Sequence, residues 1–188
     1  MIDDIKRYLL EVEFIAKTID IESIISLANH VMQIKQEGGR IFFLGVGGSA
    51  ANCSHAVNDF RKILGIECYA AVDNVSELTA RINDEGWSTS FANWLKINKL
   101  KPNDAIFVLS VGGGNEHVSK NIVMGINYAI ENKCNVLSIV SRDGGYSKNY
   151  SNACVLVPVV SEERITPHAE EWQAIIWHLL VTVLKEKQ

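Results

Sequence analysis

Hydrophobic positions divide the chain into two regimes. Up to residue 36 they recur every three or four residues: Ile2, Ile5, Leu9 and Val12, then Ile24, Ile25, Ala28, Val31 and Met32, with the alkyl stem of Lys35 continuing the row. That period is helical, and Gly38-Gly39 ends it. From residue 40 the pattern alternates. Short apolar runs at 40–46, 67–72, 104–110, 134–140 and 153–157 read as buried strands. Helical periods at 49–64, 76–82, 86–97, 116–131 and 167–186 separate them. Strands apolar on both faces, with helices between them, imply a parallel sheet covered on each side. The expected fold is α/β: a three-layer, doubly wound, five-stranded parallel sheet in the order 2-1-3-4-5 with right-handed crossovers. We expect one domain over 1–188, with 1–37 as an N-terminal helical extension.

In that strand order the connections reverse between the first and third strands, and a ligand binds at their carboxyl ends. The two most glycine-rich loops fall there: Gly45-Val46-Gly47-Gly48-Ser49 and Ser110-Val111-Gly112-Gly113-Gly114-Asn115. Glycines between a strand and a helix let backbone N–H groups point at an anion at the positive helix end. Gly47, Gly48, Ser49, Ser110, Gly112, Gly113, Gly114 and Asn115 are therefore candidates for binding a phosphate or sugar. Ser49 also stands where an N-cap is expected. Neither loop matches GxGxxG or the Walker loop with its Lys, and tight turns with positive φ are the plainer reading. Asp73, Asn74, Ser76 and Asp84 fall in loops at the same end, as ligands for sugar hydroxyls or as turn and cap residues.

The helix after the first loop carries Cys53, Ala56, Val57, Phe60 and Leu64 on one face. His55 and Asp59 lie on the other, one turn apart, so their side chains can meet. An imidazole and a carboxylate so placed suit zinc or another divalent ion, or a solvated surface pair. In the last helix, Thr166 is expected as N-cap with Pro167 at the first helical position. Trp172, Ile175, Ile176, Leu179, Leu180 and Val183 form the expected core face. The reverse carries Ala174, Trp177 and Val181, with Glu170 and His178 flanking a site over Ala174 and Glu171 as the rival carboxylate. Two apolar faces on one helix imply a subunit contact.

Composition narrows the function. Lys plus Arg is 18 against 22 Asp plus Glu, a net charge of −4, which gives no basic nucleic-acid footprint. The charged N-terminus resembles no signal peptide, and no apolar run approaches the roughly 20 residues of a membrane helix. Cys53, Cys68, Cys134 and Cys154 form no CxxC pair, and three sit in stretches that read as core. Free thiols in a reducing, cytoplasmic setting are the expectation.

Five features occur in order along the chain: the strand–GxGGSAA–helix start with its following His, SELTARINDEGW, the Ser110 loop, RDGG, and a last helix ending in IxxHLL. Together they resemble the phosphoheptose isomerases, of the sugar-isomerase (SIS) fold. The resemblance implies a cytoplasmic homotetramer with zinc in its active site. It also implies interconversion of sedoheptulose 7-phosphate and an aldose heptose 7-phosphate that feeds lipopolysaccharide or capsule. It places metal ligands at His55, Asp59, Glu170 and His178, with His178 as proton carrier and Asp59 or Glu170 as its acid/base partner. Ser49, Ser110 and the loop amides would hold phosphate. The chain departs from the family at Asp59, where Glu is usual, at Glu170, where Gln is usual, and at Val46, where Asn is usual. Glycines stand at hydroxyl positions of the second loop. The rival readings are a non-catalytic sugar-phosphate-binding or adaptor protein, and an isomerase of another phosphosugar.

Overall fold

A computed structural model describes residues 1–186; residues 187–188, the end of the expected domain, lie outside the described residues. Two helices open the chain, α1 (Ile2–Thr18) and α2 (Ile21–Gln36), and the Asp20 side chain caps α2 by accepting Glu22 N–H at 3.0 Å. Then come β1 (Ile41–Gly45), α3 (Gly48–Leu64), β2 (Cys68–Ala70), α4 (Val75–Glu85), α5 (Ser90–Ile97), β3 (Ala105–Leu109) and α6 (Lys120–Glu131). The chain ends in β4 (Asn135–Val140), α7 (Gly145–Tyr150), β5 (Ala153–Leu156) and α8 (Ile165–Lys185). Among the described residues five strands form one parallel sheet in the order β2-β1-β3-β4-β5, as the alternation predicts.

The pleat divides the strand side chains between two helical layers. Ile41 and Phe43 of β1, with Ala105, Phe107 and Leu109 of β3, join the core under α2, α3 and α8. Phe42 and Leu44, with Ile106 and Val108, join the core under α5 and α6. Both faces are dry, which explains why the strands read as unbroken apolar runs.

Two helices differ from expectation. In α1 only Ile15 is buried, and the row Ile2, Ile5, Leu9 is 65%, 55% and 62% exposed, facing away from the body. Polar contacts dock α1 instead. Glu11 takes a two-point contact from Arg164 and one from His168, and Tyr8 hydrogen-bonds Glu171. The second difference is in α8. It starts at Ile165, after a 3-10 turn over Glu162–Arg164, with Arg164 rather than Thr166 at the cap position. Pro167 still lies in the first turn, where a missing N–H costs nothing. The buried face of α8 is Trp172, Ile176, Trp177, Leu180, Val181 and Leu184, while Ile175 and Leu179 are exposed. Trp177 and Val181 thus belong to the protomer core, and Ile175 and Leu179 make the outward apolar strip. The short α7 had no helical period of its own; it follows directly from the Gly144-Gly145 turn.

Candidate active site

The site grows from the seam between α3 and α8. β1 ends at Gly45, and Gly47 turns the chain into α3 with φ +65°. At Gly48 the α8 helix comes so close that a Cβ would lie 2.2 Å from Glu170 Oε2. Ser49 N–H donates to Glu170 Oε1 at 3.1 Å, so the Glu170 carboxylate sits on the positive end of α3. Ser49 is one residue inside the helix, not its cap, and its Oγ is buried with no hydrogen-bond partner.

From there the two helices run side by side in the same direction. Asn52 Nδ2 donates to Glu170 O at 2.9 Å and to Gln173 Oε1 at 3.1 Å. His55 packs edge-on against Trp177, with ring centroids 4.7 Å apart, and 5.4 Å from the His178 ring. Asp59 Oδ2 lies 4.0 Å from His55 Nε2 and 3.8 Å from His178 Nε2. Donor atoms of His55, Asp59 and His178 all fall within 4.8 Å of one another. Glu170 is outside this group, about two turns back along α8, with its carboxylate engaged at Ser49.

Hydrogen bonding orients the His178 ring. Its Nδ1 lies 2.7 Å from the Ala174 carbonyl, which only accepts, so Nδ1 carries the proton. Nε2 is the ring atom that faces Asp59. Such a backbone bond orients an imidazole as a metal ligand or base. Two nitrogens and a carboxylate in reach of one point suit a divalent ion of zinc type, with a position left for substrate. Both rings are about half exposed, whereas the Asp59 side chain is 15% exposed.

At the start of the seam opens a cavity of about 820 Å³. It is lined by Val46, Ser49, Ser110, Gly112, Gly114 and Asn115, and Thr166 and Arg142 join them. Gly113 does not reach it. A Cβ on Gly113 would lie 1.9 Å from Gly144 O, and one on Gly145 would lie 2.2 Å from Gly112 O. The two glycine turns pack backbone to backbone. Tyr146 N–H donates to Gly114 O at 2.9 Å, and Ser147 N–H and Oγ–H both donate to Gly113 O. Asn115 is held in a turn of its own, accepting from His117 N–H and Val118 N–H.

Asp73, Asn74, Ser76 and Asp84 do not line this cavity. Asp73 accepts from the Ser54 hydroxyl, Asn74 caps α4 through Glu77 N–H, Ser76 lies in the first turn of α4 and Asp84 accepts from Asn83. Arg142 was not singled out from its spacing; the signal available was the RDGG string itself.

The phosphoheptose isomerase of Helicobacter pylori strain 26695 is 28% identical to this chain over 191 residues, covering 96% of this chain and 94% of that protein. That of Clostridium acetobutylicum is 29% identical, covering 89% and 83%. Over nearly its full length the chain is thus similar to phosphoheptose isomerases. The solved phosphoheptose isomerase of Neisseria gonorrhoeae superposes with a TM-score of 0.83 at 22% identity, over 98% of this chain and 96% of that one, which shows the shared fold. No family model matches the chain. Among the described residues no helix is long and apolar enough to cross a membrane.

Proposed function

We propose that this chain is an aldose–ketose isomerase that interconverts sedoheptulose 7-phosphate and an aldose heptose 7-phosphate through an enediol. The observation that carries the reading is the joint placement of His55, Asp59 and His178 on the α3/α8 seam, with a polar cavity at the head of the same seam. Ser49 and His55 are six residues apart on α3, about 9 Å of helical rise. An extended phosphosugar fits that separation, with its phosphate in the cavity and its reacting carbons at the donor group.

Isomerisation moves a proton between C1 and C2 and shifts charge between their oxygens. His178 Nε2 is the basic atom, because Nδ1–H is committed to Ala174. Asp59, 3.8 Å from it, stabilises the imidazolium that forms when it takes the proton. Asp59 Oδ1 accepts from Asn58, which holds the carboxylate in place. Ser49 lines the cavity, and Glu170 is held behind it by the Ser49 N–H. His55, Asp59 and His178 would hold a divalent ion, zinc by their chemistry, with His55 and Asp59 keeping it while His178 Nε2 carries the proton; once bound, the ion would supply polarisation of the sugar oxygens.

A homo-oligomer, a tetramer by the family resemblance, supports this chemistry. Ile175 and Leu179 lie 43% and 41% exposed beside His178, and α1 adds Ile5, Leu9, Leu10 and Phe14, each more than half exposed. A second copy on this face would remove water from the donor group. Four unpaired cysteines suit a reducing cytoplasm. The donor group of His55, Asp59 and His178 argues against the adaptor reading.

The test is solvent deuterium exchange into C1 and C2 of sedoheptulose 7-phosphate, followed by NMR, with metal content measured alongside. Exchange is expected in the wild type, with loss of metal and of exchange in His55→Ala and His178→Ala. A folded, metal-loaded protein that exchanges no heptulose phosphate would overturn the assignment.

A further inference from the structure

Arg142 has no role in the mechanism above, yet the fold holds it in a costly conformation. It opens the turn after β4 with φ +56°, a left-handed backbone that side chains other than glycine rarely adopt. Both flanks of the turn are tied to the second glycine loop. Ser141 N–H donates to Val111 O at 2.9 Å, and Tyr146 N–H donates to Gly114 O at 2.9 Å. Asp143 Oδ1 closes the turn by accepting Gly145 N–H at 3.1 Å. This arrangement lays the Arg142 side chain over Gly112, whose absent Cβ would lie 3.6 Å from Arg142 Cδ.

The charge at that point matters. Arg142 lines the cavity, and it is the one cation among the described residues that do, beside the acidic Asp143 and Glu162. Among the described residues it enters no ion pair, unlike Arg40, Arg81 and Arg164. Four hydroxyl-bearing residues line the same cavity, Ser49, Ser110, Ser119 and Thr166, and the first two are buried. Ser49 is 1% exposed with its Oγ buried and unpartnered, and Ser110 Oγ accepts Gly113 N–H at 3.1 Å, which leaves its own proton to give. A guanidinium, which only donates, and two buried hydroxyls, each with a proton to give, line one space, and a phosphate offers three oxygens to such a set.

We propose that Arg142 binds the phosphate of the sugar substrate, in place of the hydroxyl groups that the second loop lacks at Gly112 and Gly114. The inference rests on the phosphosugar reading above. It names the group that neutralises the phosphate in a loop otherwise built from glycine backbone.

Arg142→Gly is the informative substitution, because glycine tolerates φ +56° and removes only the side chain. Three quantities are measured: the inhibition constant of inorganic phosphate or its calorimetric affinity, KM against kcat for sedoheptulose 7-phosphate, and Tm. Phosphate affinity should fall and KM rise on the order of 10- to 100-fold, the effect of losing a charge-assisted hydrogen bond. Tm should stay equal or increase, and metal content should not change. A merely structural Arg142 would instead lower Tm and leave phosphate affinity alone. Unchanged phosphate affinity in Arg142→Gly, or a wild type in which phosphate neither binds nor competes, overturns the proposal. If the wild type binds phosphate through Arg142 but exchanges no heptulose phosphate, the isomerase reading falls and the Arg142 site stands.

Discussion

Glu11→Gln removes one negative charge from the contact that docks α1. In the wild type, Glu11 Oε2 and Oε1 accept from Arg164 Nε and Nη2 at 2.8 and 2.7 Å, and Oε2 lies 2.9 Å from His168 Nε2. The Glu11 side chain is 13% exposed and His168 is 3% exposed, so water replaces these contacts poorly. Tyr8 and Glu171 complete the cluster, and Glu171 adds an opposing negative charge 3.5 Å from His168 Nδ1. Hydrogen bonds from Arg164, then from His168, bring the Glu11 carboxyl down from 4.5 to about 2, against the opposing effect of burial. That displacement corresponds to about 3 kcal/mol at most. Arg164 is a quarter exposed, and screening there reduces the figure to about 1–2 kcal/mol. Because the folded-state value is depressed, this stabilisation is present above pH 4.5 and is lost as pH falls toward 2. Ile15 is the one buried residue of α1, so the loss should appear first in that helix. Hydrogen exchange of residues 2–18 at pH 7 should quicken in Glu11→Gln while the sheet keeps its protection. The melting temperature at pH 7 should drop by roughly 2–6 °C, and its gap from wild type should close between pH 4.5 and 2. Equal protection of α1 at pH 7, or a gap that does not change with pH, would refute the reasoning.

Gly113 and Gly65 both have positive φ, +70° and +67°, but only at Gly113 would a Cβ strike backbone. Gly65→Ala should cost about 1 kcal/mol, and Gly113→Ala about 3 kcal/mol or more with loss of phosphate binding, read by chemical denaturation and calorimetry. Burial pushes the Cys134 thiol up to about 12, and Cys53 and Cys68 beyond that, whereas Cys154 is only partly covered. Alkylation of the native protein at pH 8, followed by mass spectrometry, should therefore label Cys154 first; early labelling of Cys53 would contradict the packing under β1.

The sheet was legible because its strands are short apolar runs and every gap between them but the last carries a helical period. Those two signals give strand number and parallel direction, and the common doubly wound order for five strands supplies the rest. His55 and Asp59 were legible for a similar reason, since a one-turn spacing on the polar side of a helix needs no partner to be seen. The glycine loops were legible as a pair but not in their duties. Gly112 and Gly114 reach the cavity, whereas Gly113 is required because Gly144 packs on it, a contact between segments thirty residues apart. Local sequence carries no record of such a contact.

The same limit explains α8. A helical wheel ranks faces by hydrophobicity, and α8 is apolar on nearly every side. Its true buried face is chosen by α3, which lies parallel to it and meets it at Glu170, Gln173, Trp177 and His178 in turn. Trp177 is fully buried because it fills the space beside His55. Once Trp177 turns inward, Ile175 and Leu179 must turn outward, one turn and one residue from His178 respectively. The outward apolar strip and the donor group then share one face of the protomer. In the proposed oligomer, covering that strip and drying the site would be one packing event, so Leu179→Glu is expected to act on assembly and on chemistry through the same surface.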